Sequence, residues 1–247
     1  NESGSMHYAP LDDLDDWTEV TTGFVVGGEP NAIFARNATS VWIVGDSGYI
    51  YYSENILDGV VVVSDGSAAG ANDLYDVHAV SQDVVIACGA GGAVVYTANG
   101  GASWGAVEGT GLPVVAFRCC WARREHVWMV GSAAGRLYYS RNRGQSWTET
   151  AFPGSGSGTV WDISFAHHAS GPVGYLAHTP YHAAILQRGR ILRTVDGGAS
   201  WYVMPKSGAA IPDNQGITCL DTGSDVNFVF GGGLAANGVD GILVLAS

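Results

Sequence analysis

Apolar residues fall along this chain in short bursts separated by glycine and small polar residues. Val41-Trp42-Ile43-Val44-Gly45 is followed, after a two-residue gap, by Gly48-Tyr49-Ile50-Tyr51-Tyr52-Ser53. The couplet returns as Val85-Ile86-Ala87-Cys88-Gly89 with Gly92-Ala93-Val94-Val95-Tyr96-Thr97. It returns again as Val127-Trp128-Met129-Val130-Gly131 with Gly135-Arg136-Leu137-Tyr138-Tyr139-Ser140. Bursts of β-branched and aromatic residues bounded by glycine predict strands, and the short gaps predict hairpins. Gly45, Gly89 and Gly131 recur at intervals of 44 and 42 residues, room for four short strands per repeat. A fourth copy spans residues 172–201 and is stretched by an insertion at 179–188. A fifth begins Gly216-Ile217-Thr218-Cys219, passes through Val226-Asn227-Phe228-Val229-Phe230-Gly231 and stops in residues 241–247, with three strands and no fourth.

Three of these repeats carry one eight-residue pattern: Thr97-Ala-Asn99-Gly-Gly101-Ala-Ser-Trp104, Ser140-Arg-Asn142-Arg-Gly144-Gln-Ser-Trp147 and Thr194-Val-Asp196-Gly-Gly198-Ala-Ser-Trp201. A hydroxyl is followed by Asn or Asp two residues on, Gly four on and Trp seven on. The Asx side chain can hold the N–H groups of a tight turn, and Gly can take a positive φ. Trp then opens the next strand and buries its ring. The pattern resembles the Asp-box, or BNR, repeat of β-propellers such as sialidases and photosystem assembly factors, over roughly residues 73–205.

That resemblance implies an all-β, five-bladed β-propeller of four-stranded antiparallel blades, one domain over 1–247. Its blades would lie near 31–63, 73–107, 114–152, 160–205, and 216–247 plus 17–22. Trp17-Thr18-Glu19-Val20 reads like the strand after a box, as in Trp147-Thr148-Glu149-Thr150. We expect it to supply the outer strand of the last blade, closing the ring and removing a free sheet edge. In such propellers the boxes sit opposite the ligand-binding face, so Asn99, Gly101, Trp104, Asn142, Gly144, Trp147, Asp196, Gly198 and Trp201 are read as scaffold. The binding face would carry the connections at 23–30, 64–72, 108–113, 153–159 and 206–215. It would also carry the insertion, which brings His178, Tyr181, His182 and Arg188 together as a candidate binding loop.

Catalysis finds little support. A sialidase implies three arginines on a carboxyl group, a Tyr–Glu pair, an acid/base Asp and an Arg-Ile-Pro motif. Here only Arg36 precedes residue 118, and Ile33-Phe34-Ala35-Arg36 lacks the proline. Other glycosidases need two converging carboxylates. Asp46, Asp73, Asp76, Asp162 and Asp213 are the candidates, but spacing does not bring any two together. His167-His168 point to opposite faces of a strand, and Cys88, Cys119, Cys120 and Cys219 show no metal or redox spacing. All four read as buried free thiols, a disulfide being the alternative. No metal or cofactor is expected. Asn37-Ala38-Thr39 matches a glycosylation acceptor.

Charge changes the picture most. The 247 residues carry 23 acids against 11 Lys and Arg, a net charge of −12. This disfavours nucleic acid as a partner, because the phosphate backbone would be repelled. Residues 1–83 hold 14 Asp and Glu and one base, Arg36, whereas residues 118–143 hold six arginines and Glu125. Arg123, Arg124, Arg141 and Arg143 should share the box-side turns of blade 3, as a solvated rim or as a docking patch for an acidic protein surface. No apolar run approaches a membrane span, and residues 1–10 show no leader-like segment. The expectation is a non-enzymatic interaction module binding a protein, either a further copy of itself or neighbours in a larger assembly such as a virion (phage) or an assembly-factor complex. Its location is left open between a virion and a soluble compartment. A carbohydrate- or receptor-binding propeller, taking a glycan on Tyr181 or Trp161, is the alternative.

Overall fold

The computed structural model describes residues 6–9, 15, 17–20, 23–37, 40–166, 173–180, 189–204, 216–222, 229–234 and 241–246. The chain divides into two compact units, residues 1–108 and 109–247. In the first unit, β1 (Met6–Tyr8) and β2 (Thr18–Val20) form a two-stranded antiparallel hairpin. Two four-stranded antiparallel sheets follow. One runs through β3 (Pro30–Asn37), β4 (Ser40–Gly45), β5 (Tyr49–Ser53) and β6 (Val61–Asp65). The other runs through β7 (Leu74–Ala79), β8 (Val85–Gly89), β9 (Val94–Thr97) and β10 (Gly105–Ala106).

The second unit repeats the plan with β11 (Phe117–Arg124), β12 (Val127–Ser132), β13 (Leu137–Ser140) and β14 (Thr148–Thr150). A further sheet holds β15 (Thr159–Phe165), β16 (Gly174–Thr179), β17 (Arg190–Thr194) and β18 (Tyr202–Val203). A three-stranded sheet of β19 (Cys219–Asp221), β20 (Val229–Leu234) and β21 (Gly241–Ala246) ends the order. The only helices among the described residues are single 3-10 turns, and none is long and apolar enough to cross a membrane.

Within each unit neighbouring sheets pack against one another and cover their inner strands. Every residue of β4, β8 and β16 is buried, which is why these strands read as continuous apolar runs instead of alternating. Trp42, Val44 and Ile50 of the first sheet pack against Leu74, Val77 and Val85 of the second. Cys119, Met129 and Leu137 pack against Val160, Ile163 and Leu176 in the other unit, and Tyr175 and Ala177 against Ile217 and Leu220. The recurring glycines mark close backbone approach: a Cβ on Gly45 would lie 2.2 Å from the Glu29 carbonyl oxygen, and one on Gly89 would lie 1.9 Å from that of Asp73.

Two expectations meet a different arrangement. Thr18–Val20 is a strand and shares its exposed–exposed–buried pattern with Thr148–Thr150. Its hydrogen-bonded neighbour, however, is β1, with Glu19 opposite His7, and the Trp17 ring is exposed instead of buried. A hairpin partner only ten residues upstream costs little closure entropy. Cys88, Cys119 and Cys120 are buried as expected, whereas Cys219 is exposed at the start of the short β19.

Candidate functional site

The three eight-residue turns share one hydrogen-bond plan. In the turn between β13 and β14, Ser140 Oγ accepts the Gly144 N–H at 2.9 Å, and Asn142 Oδ1 accepts the Ser146 N–H at 3.0 Å. Thr97 with Gly101 (3.0 Å) and Asn99 with Ser103 (3.0 Å) repeat it after β9. Thr194 with Gly198 and Asp196 with Ser200, both 2.9 Å, repeat it after β17. Gly101, Gly144 and Gly198 take φ of 85°, 78° and 90°, open only to glycine at low cost. Trp147 and Trp201 are buried and donate Nε1–H to the Gly144 and Gly198 carbonyls at 3.0 and 3.2 Å. Trp104 is only half-buried, its ring edge-on to Trp42, and its indole nitrogen has no hydrogen-bond partner among the described residues. Desolvation pushes the Asp196 carboxyl up, but the hydrogen bonds from Ser200, then Thr194, outweigh it and hold the group at about 2.

These turns present the arginines. The β11–β12 turn and the β13–β14 turn emerge at the same end of the third sheet, tied by the Arg143 N–H donating to the His126 carbonyl at 3.2 Å. Arg123, Arg124, Arg141 and Arg143 are all exposed there. Arg143, at φ 56°, reaches Glu125 at 2.9 Å, while Arg141 lies over the Tyr139 ring at 5.4 Å. Among the described residues Arg123, Arg124 and Arg141 form no ion pair. Desolvation, then the like charge of Arg124, lowers the Arg123 guanidinium from its ordinary value. Among the described residues these three guanidinium groups stand without a counter-ion, on two turns tied to each other by the Arg143–His126 backbone bond.

The insertion gives less. His178 is buried at the end of β16, its Nε2 2.8 Å from the Ser157 carbonyl, and burial lowers its pKa. Tyr181, His182 and Arg188 lie outside the described residues, as do Asp213, His167 and His168. The carboxylates weighed for catalysis make structural hydrogen bonds, three of them to backbone. Asp73 Oδ1 accepts the Ser47 N–H at 2.9 Å and Asp76 accepts the Val77 N–H at 2.8 Å, while Asp46 Oδ1 accepts from the side-chain Nδ2 of Asn31 at 2.8 Å. Asp162 accepts the Ile163 and Leu220 N–H groups at 2.7 and 2.6 Å. Among the described residues no group of three or more His, Cys, Asp or Glu could hold a metal ion.

Sequence reasoning passed over a fourth, altered turn. Ser53-Glu54-Asn55 after β5 repeats the hydroxyl-x-Asn start, but Leu57 stands where the boxes have Gly and Val60 where they have Trp. Leu does not readily take a positive φ, so the chain makes a 3-10 turn at Ile56–Asp58 and Gly59 takes φ 91°. Asn55 Oδ1 still accepts the Leu57 N–H at 3.3 Å, its amide donates to Asp58 at 2.8 Å, and Ser53 Oγ donates to the Gly59 carbonyl at 2.7 Å. Spacing from the Gly45 repeat would have located it.

No protein-family model and no curated protein sequence matches this chain. Solved structures do. Sqt1 from Chaetomium thermophilum, bound to the N-terminus of a ribosomal protein, matches at a TM-score of 0.66 with 13% identity, over 94% of this chain and 62% of that one. YCF48 from Cyanidioschyzon merolae matches at 0.65 with 15% identity, over 94% and 71%. An ancestral GH74 enzyme matches at 0.64 with 14% identity, over 92% and 34%, so the chain spans about a third of that enzyme's length. These structures are β-propellers, and the likeness shows the fold: all-β, of antiparallel four-stranded sheets.

Proposed function

We propose that this chain is a non-enzymatic protein-interaction propeller that docks an acidic protein surface on the arginine end of its third sheet. The observation that carries this reading is the exposure of Arg123, Arg124, Arg141 and Arg143 on two tied turns with one carboxylate, Glu125, among them. Arg suits bidentate contact with carboxylates, and a pre-braced turn loses little entropy on binding. Sqt1 was seen holding a segment of a ribosomal protein, which accords with the interaction class.

Further detail belongs to the same reading: Asp-box turns as scaffold, five blades, and a subunit role in a larger assembly such as a virion or an assembly-factor complex. The edge of β2 not taken by β1 is the one we assign to β21. In a chain cut back to Gly23, the β21 amides should then exchange faster with solvent, and unchanged exchange would remove the closure.

The interaction itself is tested with a labelled polyglutamate peptide followed by fluorescence anisotropy. Binding should weaken steeply with salt and vanish when Arg123, Arg124, Arg141 and Arg143 are all changed to Glu. Binding unchanged by that reversal would end the proposal.

A further inference from the structure

The division into two units is also a division of charge. Residues 1–108 hold 15 acids and one base, whereas residues 109–247 hold eight acids and ten bases. The altered turn of the first sheet and the box turn of the third carry this contrast at matching positions. Glu54 follows Ser53 where Arg141 follows Ser140. Glu54, Leu57 and Asp58 are exposed, Leu57 at 61%, so an apolar tip stands between two carboxylates. Facing such a tip, the aliphatic stems of Arg123, Arg124 and Arg141 offer apolar surface while their guanidinium groups reach the flanking acids.

We infer that the acidic partner of the arginine end is a second copy of this chain, engaged through its Glu54–Asp58 turn. The inference rests on the interaction reading above and names the partner for that site. Every copy carries one surface of each sign, so reciprocal contacts close a dimer and one-way contacts propagate a chain.

Sedimentation velocity over a concentration series tests it on the full chain. Association is expected at about 0.01 M salt and lost at about 1 M, where the screening length falls to about 3 Å. Glu54→Lys with Asp58→Lys should weaken association roughly tenfold or more, and so should Arg124→Glu with Arg141→Glu, because each places like charges in contact. Circular dichroism checks that both variants keep their sheet structure. Mixing the two variants should restore association, since each then presents what the other lacks. A chain that stays monomeric at low salt, or association indifferent to both reversals, or failed restoration on mixing, overturns the inference. If the chain is monomeric yet still binds polyglutamate through its arginines, the second copy is excluded and the docking reading stands. If it does neither, both fall.

Discussion

Asp162 of β15 accepts the backbone N–H of Leu220 of β19 at 2.6 Å, so one carboxylate couples the fourth sheet to the last. Its other oxygen takes the Ile163 N–H at 2.7 Å. Burial, the largest influence, raises its pKa to about 6 against the opposing pull of these two bonds, and Asp221 adds to the rise.

The native state therefore holds the Asp162 proton more tightly than the unfolded chain, whose Asp titrates near pH ~3.9. The group favours the fold at low pH, and that contribution is lost as pH rises from about 4 to about 6, by about 3 kcal/mol. His178, whose pKa is lowered by burial, works in the opposite sense. The difference in urea-denaturation free energy between the wild type and Asp162→Asn should thus change across this window and be flat above it. A difference that does not vary with pH would show that the carboxylate stays ionised.

Asp196 has the reverse sign. Its pKa of about 2 lies below the unfolded value, so its contribution is present above pH ~4 and is lost as pH falls through about 2. The group is mostly solvated, which keeps the gain small. Asp196→Asn should preserve the turn, as Asn99 and Asn142 do theirs, and remove this acid sensitivity. Asp196→Ala should cost about 1 kcal/mol, as loss of a helix cap does. Acid titration of the melting temperature separates the two variants.

The box tryptophans should rank by burial. Trp147→Ala and Trp201→Ala remove a buried ring and an indole hydrogen bond, and each should cost about 3–5 kcal/mol. Trp104→Ala, at a half-buried ring with no indole partner among the described residues, should cost clearly less. Urea denaturation of the three variants reads the order directly.

Glu125 competes for Arg143 at 2.9 Å in solvent. Breaking an exposed pair should change stability by less than about 1 kcal/mol. Glu125→Gln should leave the melting temperature nearly unchanged while tightening polyglutamate binding. Equal affinity of variant and wild type would show that Arg143 takes no part.

Gly89→Ala should destabilise by about 1–3 kcal/mol or more through overpacking, since the added carbon would meet the Asp73 carbonyl at 1.9 Å. Denaturation midpoints measure this.

Much of this architecture is written in local pattern. The period of Gly45 and Gly89, the apolar bursts and the three hydroxyl–Asx–Gly–Trp turns specify strands and hairpins through backbone sterics and short-range hydrogen bonds. Such effects act within about ten residues and need no knowledge of distant partners. Tertiary structure alone decided what depends on proximity between segments far apart in the chain. It set Asp162 against Leu220, leaving a carboxylate whose pKa no spacing reveals. It left Trp17 exposed where Trp147 is buried. Burial, electrostatic environment and the fate of an edge strand belong to the packed sheets, because each is set by what lies across the contact and not by what precedes it in sequence.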